Sequence, residues 1–262
     1  MAVVAAAGER RAVGPGERIG TITIVTGSVQ RLWAGGWRTL TLCLALAAFS
    51  WGLQVAGEAV GVNLAAPTIA PGYVAYILLT AAGTGLGAAL AMRLFTRGPA
   101  HWLAFDRPLL TGSAVMAGMT ASFALISAIY ASATRDVGAS AAGIAGLAVA
   151  LAYLVLMFAM IRLTLWPVAL VMGRRVSLGA AWRAMRKATR GTIFGYLIFA
   201  IPFVLVAVSR WPDLAAGRQP EGWWQGVFAL TGSVYALAVY GMAATVYAIR
   251  IETPATVADV FD

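Results

Sequence analysis

The side chains most able to carry out chemistry are few in this sequence, and they do not form a recognisable catalytic site. There is one histidine, His101, and one cysteine, Cys43, whereas a protein zinc site normally needs several such ligands. Asp213 and Glu221 could act as a carboxylate pair, but two arginines flank them, which favours an ordinary solvated loop. We therefore predict that the chain is not an enzyme and that it has no metal site and no cofactor.

Glu58 and Arg162 lie at the ends of long apolar segments. Charged side chains in such places are functional candidates, because their transfer into lipid is costly. Glu58 could line a polar cavity together with Gln54, or it could be a carboxylate at the level of the lipid headgroups. Arg162 could extend toward the membrane surface, bind a backbone carbonyl, or bind a lipid phosphate through its planar guanidinium group. We place Glu58 and Arg162 on opposite sides of the membrane and do not predict that they pair.

The glycine-rich sequence Gly83–Gly87 is not typical of a phosphate-binding loop, because no Lys-Ser or Lys-Thr follows it. Gly83 and Gly87 have instead the spacing of glycines that allow two membrane helices to approach closely. We predict the same role for small residues in two other apolar segments. These residues are Ala114 and Gly118 in one segment, and Gly143, Gly146 and Ala150 in the other.

Six uncharged segments form the framework that must position these residues. They are Thr39–Gly57, Tyr73–Met92, Pro108–Thr134, Val137–Ile161, Gly191–Ser209 and Gly222–Ile249. Each segment contains at least 19 residues, enough for an α-helix to cross a hydrocarbon core of roughly 30 Å. We therefore predict an all-α fold, a polytopic membrane bundle of six transmembrane helices with amphipathic interfacial helices.

The predicted spans divide the chain into three regions. Residues 1–20 form a flexible cytoplasmic tail, residues 21–250 the transmembrane domain, and residues 251–262 a short cytoplasmic tail. The segment Thr21–Trp37 has apolar residues near helical spacing, which favours a short interfacial helix before the first span. The alternative for this segment is a disordered tail.

The distribution of positive charge predicts the orientation in the membrane. Hydrophobic residues make up 61% of the chain, and the net charge is +9. In a soluble chain that charge would suggest nucleic acid binding, but here 15 of the 19 basic residues fall on one side of the predicted spans. The positive-inside rule places that side and both termini in the cytoplasm. We therefore predict a multi-pass membrane protein with both termini in the cytoplasm that does not bind nucleic acid.

The polar segment after the fourth span has the pattern of an amphipathic helix. Ser177 is a good N-cap, and Gly191 is a good residue just beyond a helix C-terminus. One side of the helix is apolar and carries Leu178, Ala181, Trp182, Met185 and Ala188. The other side is basic and carries Arg183, Arg186, Lys187 and Arg190. The pattern predicts a helix among lipid headgroups or a basic loop that fixes topology, and the two are compatible.

The same region resembles a known family. Arg162-Leu-Thr-Leu-Trp-Pro167 is followed by Ser177-Leu-Gly-Ala-Ala-Trp-Arg183, and then by Thr189-Arg-Gly191 before the next span. This order is similar to that of the membrane domain associated with glycerophosphoryl diester phosphodiesterases, and of related six-helix bacterial inner-membrane proteins. Ser28-Val-Gln-Arg-Leu-Trp33, followed by Trp37-Arg38, also resembles the opening helix of that family. The resemblance covers most of the chain and implies the fold and a place in a bacterial inner membrane. It does not imply hydrolase activity, because the sequence shows no counterpart of the soluble phosphodiesterase domain found beside some members.

Few polar residues occupy the middle of the spans, and the two halves of the chain show no clear repeat, which argues against a transporter. We predict a non-enzymatic integral membrane protein that is an accessory, assembly or scaffold component. Its predicted partners are anionic lipid headgroups and a membrane protein or a second copy of the chain. The candidate binding residues are Arg162, Arg183, Arg186, Lys187 and Arg190, with Glu58 as the intramembrane polar candidate. The alternative is a transporter or channel for lipids or small molecules.

Overall fold

The computed structural model describes residues 18–62, 70–134, 139–209 and 222–252. Within these residues the chain forms helices and short connections, without a β-strand. The helices are α1 (Thr21–Gly35), α2 (Trp37–Ala59), α3 (Pro71–Arg97), α4 (Arg107–Thr134), α5 (Ala139–Leu163), α6 (Leu165–Val171), α7 (Leu178–Met185), α8 (Thr189–Val208) and α9 (Gly222–Tyr247), which continues as a π-helical segment, Ala248–Glu252. Six of them, α2, α3, α4, α5, α8 and α9, are long and apolar enough to cross a membrane. The predicted all-α bundle with six membrane-spanning helices is therefore confirmed.

The short helix α6 exists because Pro167 interrupts the apolar segment that begins with α5. A proline has no backbone N–H, and its ring clashes with the carbonyl group four residues earlier, here that of Leu163. Helix α5 ends at Leu163, and α6 begins at Leu165 after Thr164. Five of the seven residues in α6 are buried. The chain beyond the break therefore packs beneath the other helices and not on the outside of the bundle.

The long helices alternate in direction, so their ends form two groups. Helices α3 and α4 make the most extensive helix contact, and α9 packs against α2, α1, α8 and α3. Helix α5 lies at the periphery, and most of its large apolar side chains are exposed. In a membrane, lipid tails would cover these side chains.

We call the two ends of the bundle the basic end and the far end. The basic end contains α1, α6 and α7, the first turns of α2, α4 and α8, and the last turns of α3, α5 and α9. Every Arg and Lys that the structure describes lies at this end. The far end contains the opposite ends of the six long helices. The main buried apolar cluster is at the basic end, and its members include Ile24, Met92, Leu109, Val168, Met185 and Met242.

Helix α1 confirms the predicted helix before the first span, but one side of it is part of the packed bundle. Ile24 and Ser28 are fully buried, and the Ser28 hydroxyl donates a hydrogen bond of 2.7 Å to the carbonyl of Ala238 on α9. Gly36, with a φ of +53°, separates α1 from α2, and glycine adopts such a φ without steric cost. The tails predicted for residues 1–20 and 251–262 lie almost entirely outside the described residues.

The predicted close approach of helices at glycine is confirmed for α3. A Cβ atom added at Gly83 would overlap the ring of Phe49, and one added at Gly87 would overlap Leu46, both on α2. The prediction is wrong for Gly118 of α4 and Gly143 of α5, where no atom lies within 4 Å of an added Cβ. In the described part of the chain, these two glycines are open to their surroundings and do not mediate a helix contact.

Candidate functional site

Arg93 is a fully buried arginine at the basic end, on the last turns of α3. Its Nε and Nη2 atoms lie 3.4 and 3.3 Å from the carbonyl oxygen of Val171, at the end of α6. Its guanidinium also donates to the carbonyl of Ala104 and forms an ion pair with Asp106. One side chain thus fastens α3, α6 and the loop between α3 and α4 to one another.

Asp106 makes the other half of this contact and also starts α4. Its Oδ1 accepts a 2.9 Å hydrogen bond from the backbone N–H of Leu109, which is the geometry of a helix N-cap. Burial alone would raise the pKa of Asp106. The Leu109 hydrogen bond and the Arg93 guanidinium more than offset burial and hold that pKa below its usual value. Because the folded-state pKa is lowered, the resulting stability is present at neutral pH and is lost as the pH falls through the folded-state pKa.

Three other arginines at the basic end donate to backbone carbonyls near helix C-termini. Arg31 donates to the carbonyl of Phe95, Arg97 to that of Met172 at 2.7 Å, and Arg174 to that of Ile251 at 3.4 Å. Carbonyls at the end of a helix lack intrahelical partners, and cations there are favourable. These arginines therefore have structural roles in addition to any effect on topology.

From the sequence alone, Arg93 is only one of the basic residues on the side predicted to face the cytoplasm, and its burial was not predicted. One signal was present, because Asp106 is the one acidic residue between Glu58 and Asp136. A buried arginine in this part of the chain therefore had one obvious partner. The pairing itself depends on the fold of residues 98–106, which the helical pattern does not predict.

Arg162, one of the predicted binding residues, is held by aromatic rings. Its Cζ lies 4.7 Å from the centroid of the Trp182 ring and 5.9 Å from that of Phe158, and these two rings meet edge to face. Its Nη1 is 3.3 Å from the hydroxyl of Thr189. The guanidinium therefore connects α5 with α7 through a cation–π contact and with α8 through a hydrogen bond. Its Nε is buried and has no hydrogen-bond partner in the described part of the chain.

The predicted basic face is present. Arg183, Arg186, Lys187 and Arg190 are all exposed, whereas Ala181, Met185 and Ala188 are almost completely buried. We call these four exposed cations the basic face. The buried side of α7 packs against the rest of the protein, so this helix does not use its apolar residues to enter lipid. Leu178 is an exception to the predicted stripe, because it is 48% exposed.

The predicted start of the amphipathic helix is correct, and its predicted end is wrong. The Ser177 hydroxyl accepts a 3.2 Å hydrogen bond from the N–H of Ala180 and caps α7. Helix α7 ends at Met185, however, and Gly191 lies inside α8. Gly191 serves a close approach, because a Cβ there would lie 2.8 Å from the carbonyl oxygen of Ile19. A glycine that permits such a contact is indistinguishable in sequence from one that ends a helix.

At the far end, Glu58 is exposed on the last turn of α2. The side-chain amide of Gln225, on the first turn of α9, donates a 3.3 Å hydrogen bond to its carboxylate. Gln225 is only 9% exposed and was not predicted. Glu58 and Arg162 therefore lie at opposite ends of the bundle, as the sequence predicts.

The remaining chemical candidates do not gather into a site in the described part of the chain. His101 is exposed and Cys43 is buried. Among the described residues no three His, Cys, Asp or Glu side chains are placed to hold a metal ion. Asp213 and Glu221 and their flanking arginines lie outside the described residues.

No protein-family model, curated protein or solved structure matches this chain. The resemblance to the membrane domain associated with glycerophosphoryl diester phosphodiesterases stays a prediction. Any conclusion about function therefore rests on the surfaces and cavities of the chain itself.

Proposed function

We propose that this chain is a non-enzymatic integral protein of a bacterial inner membrane that binds anionic lipid headgroups through its basic face. The observation that carries the proposal is the exposure of Arg183, Arg186, Lys187 and Arg190 at one end of the bundle. Four exposed cations within eight residues create a concentrated positive surface. Each basic residue near an anionic membrane surface contributes about 1 kcal/mol to association.

The buried side of α7 supports the same proposal. Ala181 and Met185 anchor α7, which carries Arg183, and buried Ala188 anchors the short connection to α8. The cations of the basic face are therefore carried by an ordered backbone. Arg162 and its aromatic neighbours hold the end of α5 against this surface. Because the backbone that carries the cations is already ordered, binding a phosphate costs side-chain but not backbone conformational entropy. The role that fits is an accessory, assembly or scaffold component that organises anionic lipid around itself and a membrane partner, either another protein or a second copy of this chain.

The orientation follows from the same charges. All described Arg and Lys residues lie at the basic end, and short basic loops remain in the cytoplasm. We place the basic end on the cytoplasmic side and the far end, with Glu58, on the opposite side.

Single cysteines should distinguish the two sides in intact cells. In a Cys43→Ser background, a cysteine at the exposed far-end residue Val60 is expected to react with a membrane-impermeant maleimide added from outside. A cysteine at exposed Ala100, at the basic end, should react only after the cells are permeabilised. Reaction of Ala100→Cys in intact cells, with Val60→Cys protected, would reverse the proposed orientation.

The basic face should contribute more to the binding of anionic lipid than the other exposed arginines at the same end do. We expect the double variant Arg183→Gln/Arg186→Gln to weaken retention of phosphatidylglycerol by up to about 2 kcal/mol, or roughly thirtyfold. Native mass spectrometry of the purified protein, titrated with phosphatidylglycerol in a neutral detergent, measures the loss. Added salt should reduce the wild-type affinity as well.

A matched control changes the net charge equally without touching the basic face. Arg107 and Arg175 are also exposed at the basic end, and Arg107→Gln/Arg175→Gln is expected to have a clearly smaller effect. Phosphatidylcholine retention should be the same in all three proteins. Equal losses of phosphatidylglycerol in the two double variants would show that overall charge, and not the basic face, attracts the lipid.

A further inference from the structure

Polar residues continue from the far end of the bundle along the place where α2, α3 and α9 meet. Glu58 and Gln225 hydrogen-bond to each other at the far end. Two turns deeper on α2 is Ser50, and two turns deeper on α9 is Ser233. Both line a cavity of about 230 Å³, which Thr80 and Thr84 of α3 also line. We call these six residues, Glu58, Gln225, Ser50, Thr80, Thr84 and Ser233, the polar seam.

The cavity exists because one side of α9 carries small residues. Ala229, Gly232, Ser233 and Ala236 face the cavity in place of large apolar side chains. The cavity is open on one side, because Ser50 is exposed and Phe49 and Phe228 are 38% and 40% exposed. A concave, mainly apolar pocket with a few hydroxyl groups is a candidate binding site. Gln225 is one turn before Ala229 on α9, and this places the Glu58–Gln225 pair directly above the cavity.

Aromatic rings form much of the cavity wall. Phe49 of α2, Phe203 of α8, and Phe228 and Tyr240 of α9 all line it. The ring centroids of Phe203 and Phe228 are 4.7 Å apart, and the ring of Phe203 also stacks on that of Tyr235. The faces of such rings are electron-rich and attract organic cations.

The charges around the seam favour a cation as well. Glu58 is the one acidic residue described at the far end, and the described residues there include no Arg or Lys. The cavity is lined by aromatic, aliphatic and hydroxyl-bearing residues and by no charged side chain. In the described part of the chain, the carboxylate of Glu58 accepts a hydrogen bond from the side-chain amide of Gln225 and forms no ion pair.

The hydroxyl of Thr80 gives a second polar contact deeper in the seam. Its oxygen is buried and makes no hydrogen bond of normal length and angle in the described part of the chain, although the phenol of Tyr76 is near it. Buried polar groups are nearly always paired in folded proteins. A hydroxyl oxygen carries two lone pairs, so the Thr80 oxygen can face a bound cation while it contacts the Tyr76 phenol.

We infer that the polar seam is a binding site for a small alkylammonium cation, which reaches the cavity from the far end past Glu58. The carboxylate attracts the ligand, the aromatic rings of the cavity hold its apolar groups, and Thr80 faces its positive charge. This site is at the opposite end of the protein from the basic face, and its occupancy does not depend on anionic lipid.

The test is binding of radiolabelled tetraethylammonium to the full chain in nanodiscs of phosphatidylcholine, measured by equilibrium dialysis. A zwitterionic lipid keeps lipid charge out of the measurement. We expect saturable binding by the wild-type protein. Glu58→Gln, which retains the hydrogen-bonding shape, should weaken this binding at least about tenfold, because it removes the one carboxylate that the described residues place at the far end.

A cavity-filling variant provides the second measurement. Ala236→Leu places an apolar side chain in the cavity and should abolish saturable binding while the protein stays folded. The matched control is Ala150→Leu on α5, where residue 150 is exposed, and it should bind like the wild type. If Ala236→Leu fails to fold, Glu58→Gln at the surface decides the question alone.

Three results would overturn the inference. Wild-type binding that does not saturate would mean that the cation only partitions into lipid. Binding unaffected by Glu58→Gln would mean that the carboxylate does not recognise it. The third result concerns 3,3-diethylpentane, the uncharged analogue of the same shape. If it competes as strongly as unlabelled tetraethylammonium, the cavity accepts apolar molecules and does not select cations.

Discussion

Replacement of Arg93 by leucine is expected to destabilise the fold by about 3–5 kcal/mol, the largest effect we expect from a single substitution. The Arg93 side chain is fully buried, whereas the Asp106 side chain is 42% exposed. The cost therefore comes mainly from the loss of several charge-assisted hydrogen bonds at once, because each buried group left without its partner costs about 1–3 kcal/mol. The groups that lose Arg93 as a partner are the carboxylate of Asp106 and the carbonyls of Ala104 and Val171. Unfolding of the detergent-solubilised protein, followed by circular dichroism against denaturant, measures the loss.

Arg97→Gln is the control, because Arg97 is one turn further along α3 but exposed, and its one described hydrogen bond goes to Met172. The free energy of unfolding of that variant should fall by about 1 kcal/mol or less. The difference in the free energy of unfolding between the wild type and Arg93→Leu should also narrow as the pH falls through the lowered pKa of Asp106. A protonated carboxyl has no charge for the guanidinium to stabilise. Similar losses for the two arginine variants would contradict the structural role of Arg93.

The spans were predictable because a membrane imposes a strong constraint on sequence. Every backbone polar group in the hydrocarbon core must be bonded internally, so each crossing needs a long uncharged helix. The uncharged segment Gly191–Ser209, for example, corresponds to α8, and Thr39–Gly57 lies within α2. The length of a segment and its lack of charge can be taken from the sequence alone, without knowing how the helices pack against one another.

The basic end was only partly predictable, because its contacts join residues that are far apart in the sequence. The period of α7 correctly placed Arg183 and Arg186 on an exposed side. It did not show that α6 is buried or that Arg93 contacts Val171, 78 residues later. The sequence pattern distinguishes the two sides of one helix, whereas a buried arginine is defined by what surrounds it from several helices.

The far end shows the same limit. Glu58 was a candidate because a carboxylate beside a span is unusual, and Gln54, one turn away, was the natural neighbour to propose. The described hydrogen-bond partner is Gln225, 167 residues away in the chain, and Gln54 is not among the residues that line the cavity. The contact became visible only when α2 and α9 were placed side by side.

Gly85 leads to the second large effect that we expect, and it was not among the predicted contact glycines. A Cβ at this position on α3 would lie 2.6 Å from the carbonyl oxygen of Ser113 and 2.7 Å from the backbone nitrogen of Ala117, both on α4. Real Cβ atoms are essentially never found so close to other atoms. Because backbone atoms cannot move aside like the end of a flexible side chain, Gly85→Ala must separate α3 from α4, the most extensive helix contact in the protein.

Gly85→Ala is therefore expected to destabilise the protein by about 1–3 kcal/mol, as overpacking usually does. The sign is informative, because alanine in place of a helical glycine normally stabilises by up to about 1 kcal/mol. Gly118→Ala on α4 is the matched control. No atom lies within 4 Å of the added Cβ, so this variant should be neutral or slightly stabilised. Denaturant unfolding of both variants under identical detergent conditions compares them directly. A Gly85→Ala variant that is more stable than the wild type would mean that α3 and α4 are not in contact at this point.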